Sequence, residues 1–141
     1  WRLKARLQSS RPDPFCWGEE FGASVAISGD WLAVGSPTDF WLREGVELPP
    51  DIEHPNEAIP YFTYQGSVYL FRRPAGGWVD ATETEVLTEL EGYQLDSTPP
   101  GGFGESVALD GTTLVVGAPW FGGGTPGTYS MDGTAFVYEN P

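Results

Sequence analysis

Ser24-Val25-Ala26-Ile27-Ser28 alternates apolar and polar side chains with a period of two, the signature of a strand with one face buried. A Gly29-Asp30 turn follows, then Leu32-Ala33-Val34-Gly35, a short apolar run rich in strand formers. Two such runs divided by a glycine turn predict a β-hairpin. The pattern recurs from Phe103, with Asp110-Gly111 at the turn, so Asp30 and Asp110 read first as turn residues. Phe21–Pro37 and Phe103–Pro119 agree at ten of seventeen positions, at an offset of 82.

Each hairpin leads through a loop into a third apolar run. Gly66-Ser67-Val68-Tyr69-Leu70-Phe71 matches Gly133-Thr134-Ala135-Phe136-Val137-Tyr138, and the offset falls to 67 because the first loop has 28 residues and the second 13. A fourth element begins at Trp78 and runs to Leu90, and its counterpart is Trp1–Leu7 at the head of the chain. Thr82–Glu85 also fits a helical capping box stopped at Gly92. An outer strand is preferred, because Trp1–Leu7 fills the same role in too few residues for a stable helix. The chain is therefore expected to be all-β, as two four-stranded antiparallel blades of a β-propeller. Residues 21–90 form the first blade, and 103–141 the second, without its outer strand. The strand at 1–7 is the outer strand of a preceding blade or closes the second. Glycines at 22, 35, 104 and 117 fit inner strands crowded near an axis.

Phe21-Gly22 with Val34-Gly35-Ser36-Pro37, and Phe103-Gly104 with Val116-Gly117-Ala118-Pro119, resemble the FG-GAP repeat. The resemblance covers most of the chain outside the two long loops. It implies the blades of an integrin-alpha-like propeller, a place at the cell surface or outside the cell, and a role in adhesion. The calcium loop of the integrin form does not carry over. Ser28-Gly29-Asp30 and Leu109-Asp110-Gly111-Thr112 hold too few carboxylates for six or more oxygen ligands. No metal site and no cofactor are expected. Two blades are fewer than such a ring needs, so the chain is expected to be part of a longer propeller, with self-assembly of several copies as the alternative.

Composition narrows the partners. Nineteen glycines and 13 prolines suit many turns and oppose long helices. A formal charge of −13 repels phosphate backbones, so nucleic acid is excluded as a partner. No apolar run is long enough for a membrane helix, and no membrane insertion is expected. The lone Cys16 allows no internal disulfide; it reads as a small, at least half-buried side chain, with no basic residue nearby in sequence to activate it.

In antiparallel blades the tight turns collect at one end, and the long segments 8–20, 38–65, 91–102 and 120–132 at the other. Binding residues sit characteristically on loops held by a rigid scaffold. Both long loops open on aromatics, Phe40-Trp41 and Trp120-Phe121, which are the candidate ligand-binding residues. They read either as a contact platform, for protein or for the face of a sugar ring, or as plugs packed over the blade edge. Asp39, Glu44, Glu47, Asp51, Glu53 and Glu57 beside the single His54 read as a solvated acidic loop broken by prolines. No catalytic constellation is present: His54 sits on a poor platform for a positioned base, and Gly122-Gly123-Gly124 lacks the lysine of a phosphate loop. The expected function is thus a non-enzymatic module for protein recognition or assembly. Carbohydrate binding through Trp41 and Trp120, and a purely structural role, are the alternatives.

Overall fold

The structure, a computed structural model, describes residues 1–11, 18–42, 62–64, 66–88, 101–121 and 132–140. All of its regular elements are strands. β1 (Ser24–Ser28), β2 (Trp31–Ser36), β5 (Ser67–Arg72) and β6 (Glu85–Leu87) form one antiparallel sheet in that order. β7 (Ser106–Asp110), β8 (Thr113–Ala118) and β9 (Thr134–Glu139) form a second, and β3 (Phe40–Leu42) pairs with β4 (Phe62–Tyr64) in a ribbon within the first long loop. That ribbon is absent from the sequence reading, because Pro49, Pro50, Pro55 and Pro60 lie between its strands and mask the pairing. Glu85–Leu87 is a strand, as preferred over the capping-box helix.

The registers of the sheets show how the repeat works. In the first sheet Val25, Val34, Tyr69 and Val86 lie across from one another, as do Ile27, Leu32 and Phe71. This is its face A. Ser24, Gly35, Val68 and Leu87, with Ala26, Ala33 and Leu70, make face B. The second sheet repeats the division: Val107, Val116 and Phe136 with Leu109, Leu114 and Tyr138 on face A, and Ser106, Gly117 and Ala135 with Ala108, Val115 and Val137 on face B.

Face B of the first sheet packs on face A of the second. Ala33, Val68, Phe103, Leu114, Val116 and Ala118 form the buried centre of that contact, flanked by Leu70, Leu87, Leu109 and Phe136. The burial of the near-identical inner strands inverts as a result. Along Ser24–Ser28 the serines and alanine are half-buried while Val25 and Ile27 are exposed; along Ser106–Asp110 the valine and leucine are half-buried and their neighbours exposed. Alternation alone does not say which face is covered; sheet stacking does.

Phe103 seats the contact. Its ring meets Phe136 at 5.4 Å and Tyr138 at 6.3 Å between centroids, both edge-on, and the residue is wholly buried. The peptide after it touches the first sheet through backbone. The Ser24 hydroxyl donates to the Gly104 carbonyl at 2.7 Å, and the Gly111 amide donates to the Ser28 hydroxyl at 2.9 Å. A methyl on Gly35 would overlap the Gly104 carbonyl, and one on Gly104 would stand 2.6 Å from the Ser67 carbonyl oxygen. The expected crowding of glycines is therefore real at 35 and 104. At Gly22 nothing lies within 4 Å, and at Gly117 only Ser106 of the same sheet does.

A second cluster, Val34, Tyr69 and Phe71, sits on face A of the first sheet, covered in part by Leu7, Phe21, Trp78 and Val86. The segment at 1–7 is not a regular strand of either sheet. Leu7 makes one parallel bridge to Ala81, with Gln8 N–H to the Ala81 carbonyl at 3.2 Å, and the Arg6 amide donates to the Asp80 carboxylate at 2.6 Å. Closure of the second blade by this segment is therefore not seen within the chain, where it lies on the far side of the first sheet. Leu7 packs on face A of the first sheet as Leu87 packs on face A of the second.

The Ser10 amide and hydroxyl both donate to the Glu83 carboxylate and tie this segment down. Partial burial pushes the Glu83 carboxyl up, but these hydrogen bonds and the nearby Arg11 charge outweigh it and hold it below its ordinary 4.5. A depressed carboxylate contributes attachment that is present above the ordinary value and is lost as pH falls through the folded value. The Ser10 amide proton should accordingly titrate by NMR with a midpoint below 4.5, and a midpoint at or above that value would contradict the assignment. In urea, Gly35→Ala should destabilise the chain by about 1–3 kcal/mol as the sheets are forced apart. Gly76→Ala, at an open position, should change little.

Candidate functional site

The sheets place their tight turns and long loops at opposite ends. At the turn end, the Gly29-Asp30 hairpin approaches the β5–β6 connection, where Arg73 pairs with Asp30 and both are exposed. Arg72 lies over the Trp31 ring at 5.7 Å. Asp30, Arg72, Arg73, Pro74 and Gly77 line a shallow open depression there. These groups satisfy one another across the surface.

At the loop end, segment 18–23 is tied to the first β2–β5 loop. The Ser36 hydroxyl donates to the Glu19 carbonyl, and Thr38 Oγ1 to the Gly18 carbonyl at 3.0 Å. Asp39 then turns inward. It is almost completely buried, its carbonyl accepts from the Gly66 amide at 3.0 Å, and its Oδ2 accepts from the Tyr69 hydroxyl at 2.7 Å. Its Oδ1 is buried without a hydrogen-bond partner among the described residues. Burial pushes the Tyr69 phenol well above its usual range; the Asp39 carboxylate adds to that, and the Ser9 hydroxyl partly offsets it. The expectation of a solvated acidic loop thus fails at its first member. Asp39 is a buried acceptor one residue before β3, and its phenol donor lies 30 residues on, which local patterning does not show. Glu44, Glu47, Asp51, Glu53, His54 and Glu57 lie outside the described residues, as does Cys16.

The second unit builds the same corner from different chemistry. Phe121 occupies the position of Asp39, and Phe136 that of Tyr69. Phe121 N–H donates to the Ala118 carbonyl at 3.1 Å, just as Asp39 N–H donates to Ser36. In place of a hydroxyl–carboxylate bond stands an edge-on ring pair at 5.1 Å, and Phe121 packs onto the inter-sheet core. Phe121 is an anchor. Trp120 beside it points outward, 51% exposed. Its amide donates to the Gly101 carbonyl at 3.2 Å, and its indole lies across Gly102, where a Cβ would stand 2.7 Å from Cδ1. A platform of this kind can stack against an apolar ring, a sugar face or a cation. Phe40 and Trp41 enter β3, paired through the backbone with Tyr64 and Thr63. Their side chains lie outside the described residues, so only the Trp120–Phe121 half of the candidate set has a described arrangement.

Among the described residues no group of three or more His, Cys, Asp or Glu side chains converges as a metal site. No helix there is long and apolar enough to cross a membrane.

Residues 96–138 match the family model of the FG-GAP repeat. The match spans the second unit, so that unit is similar to the FG-GAP repeat, and the all-β pair of antiparallel sheets is consistent with blades of that kind. The first unit shares ten of seventeen positions of its core line. No curated protein matches the chain.

Tyr69→Phe removes the donor and leaves both Asp39 oxygens buried without it. The expected cost is about 1–3 kcal/mol in denaturant unfolding. Double replacement by the second unit's own residues, Asp39→Phe with Tyr69→Phe, should recover part of that loss.

Proposed function

We propose that this module is a non-enzymatic recognition element, presenting its loop end to a protein partner at the cell surface or in the extracellular space. The observation that carries the reading is Trp120: a half-exposed indole held on a Gly101–Gly102 backbone, next in sequence to Phe121, which is half-buried against the inter-sheet core. Rigid exposed aromatics of this kind dominate binding energy at interfaces, because little side-chain entropy is lost on contact. The FG-GAP match supports the scaffold role; the extracellular placement is carried over from the resemblance to integrin-alpha-like propellers. A charge of −13 favours a basic partner surface.

The same half-exposed indole suits stacking on a sugar, which makes a glycan the second reading. Both are addressed by screening the chain against a panel of basic extracellular domains and a glycan array, with Trp120→Ala and Arg73→Ala in parallel. Recognition through the loop end predicts a protein ligand whose affinity drops about 30-fold in Trp120→Ala, roughly 2 kcal/mol, and is unchanged in Arg73→Ala. Glycan signals lost in the same variant would move the assignment to carbohydrate. Binding insensitive to Trp120 would remove the loop end as the site.

A further inference from the structure

Asp39 is 1% exposed, and its two carboxylate oxygens fare differently. Oδ2 accepts from the Tyr69 hydroxyl at 2.7 Å, whereas Oδ1 is buried without a hydrogen-bond partner among the described residues. The donors of the corner are committed elsewhere. The Ser36 hydroxyl goes to the Glu19 carbonyl and the Thr38 hydroxyl to the Gly18 carbonyl. The Gly66 amide goes to the Asp39 carbonyl, and the Asp39 amide to the Ser36 carbonyl. Nor does a basic side chain pair with Asp39: the ion pair between described residues joins Arg73 to Asp30, at the other end of the sheets. A buried charge left without a counter-charge is strongly destabilising.

The second unit shows that the fold does not require this arrangement. At the offset of 82, Glu19, Ser36, Thr38 and Asp39 stand opposite Gly101, Ala118, Trp120 and Phe121, and at the offset of 67 Tyr69 stands opposite Phe136. Every oxygen-bearing side chain of the corner is replaced by one without oxygen, and the corner closes on an edge-on ring pair at 5.1 Å. The polar set is present as a whole in one unit and missing as a whole in the other. Proteins break local packing rules in this way at functional sites.

We propose that the Asp39 corner is a binding site for a hard divalent cation of the calcium type, with Asp39 Oδ1 and the Glu19 carboxylate as its charged ligands. Glu19 is half-buried, on the segment that the Ser36 and Thr38 hydroxyls draw against the loop. Burial pushes the Tyr69 phenol up, and the charges of Asp39 and Glu19 add to it, so both carboxylates lie close to that hydroxyl. Two like charges held together in a part-buried corner repel, and a cation shared by them removes the repulsion and satisfies Oδ1 at once. The side chains of the corner offer oxygen and neither nitrogen nor sulfur, which suits calcium and not zinc. Two carboxylates balance a divalent charge, and no third converges on them among the described residues. Water and backbone carbonyls complete the about six to eight oxygens that calcium takes, which puts the affinity in the weak range. The hairpin turns at Asp30 and Asp110 lie at the opposite end of the sheets and take no part. An ion at Asp39 fastens residues 18–20, which lead into the Phe21-Gly22 turn, to the start of the β2–β5 loop. The site stands whether or not the loop end binds a protein partner.

The test is a calcium titration of the chain at constant ionic strength, followed by NMR at the Gly66 amide, which donates to the Asp39 carbonyl. The Gly66 resonance should shift along a single saturable curve with a Kd of about 0.1–1 mM. A charge of −13 draws calcium to the whole surface, so variants separate the corner from that background. Asp39→Asn and Glu19→Gln, each checked by circular dichroism for an unchanged fold, should weaken the Gly66 response by about tenfold or more. Asp110→Asn, at the turn end, should leave it unchanged. Should Asp39→Asn lose the fold, Glu19→Gln and the wild-type curve decide. A Gly66 amide that ignores calcium up to about 10 mM, a response centred on Gly29 and Gly111, or a curve kept by Glu19→Gln would each overturn the proposal. A Gly66 amide that moves with pH but not with calcium would overturn it too, and would give Oδ1 a proton.

Discussion

The whole arrangement depends on one close approach, the entry of the Gly104 carbonyl into the space above Gly35. Sheets packed through side chains stand about 10 Å apart, set by the thickness of two layers of residues. Here the innermost strands come within backbone reach because a side chain is missing on each partner, and the contact is fixed by a hydrogen bond from Ser24. Away from that corner Val68, Leu114, Val116 and Phe103 restore an ordinary apolar interface. The packing is therefore graded from backbone against backbone at one edge to side chain against side chain further out.

The pair of loop corners shows what that constraint leaves free. Asp39 with Tyr69, and Phe121 with Phe136, occupy equivalent places and do the same mechanical work, pinning the start of a loop to its sheet. One solution buries a carboxylate and leaves Oδ1 without a partner among the described residues; the other packs two half-buried rings edge-on. An unpaired buried oxygen is destabilising, and an aromatic pair carries no such cost. The units therefore differ where the loops leave the sheets, and agree where the sheets meet each other.

Much of this was legible in the sequence, for identifiable reasons. The two hairpins and third strands were readable because period-two alternation, a glycine turn and a repeated line all point one way, from Ser24 to Gly35 and from Ser106 to Gly117. Which face of each strand is covered was not readable: Val25 and Val107 sit in matching local sequences, and only the order of stacking exposes one and half-buries the other. The β3–β4 ribbon joins residues about 20 apart across proline-rich sequence, and a pairing that distant leaves no local mark. Of the candidate site, the outward Trp120 and inward Phe121 carry the same aromatic signal in sequence. Aligning the units beyond Pro37 and Pro119 sets Phe121 opposite Asp39, which marks the position as a structural corner.

The proposed placement of recognition at the loop end rests on the uses of the other surfaces. Sheet faces in such a stack serve neighbouring sheets, and what they can carry is limited by the apolar alternation that stacking requires. The turn end holds two two-residue hairpins, whose glycines are demanded by backbone geometry, and the β5–β6 connection, where Arg73 pairs with Asp30. Only the segments between β2 and β5, between β8 and β9, and leading into each Phe-Gly turn are released from both constraints. They are also where the two units diverge, 28 residues against 13 in one case, while the core line between them holds at ten positions of seventeen. A scaffold that repeats its framework and varies its loops at a single end concentrates at that end whatever distinguishes one partner from another.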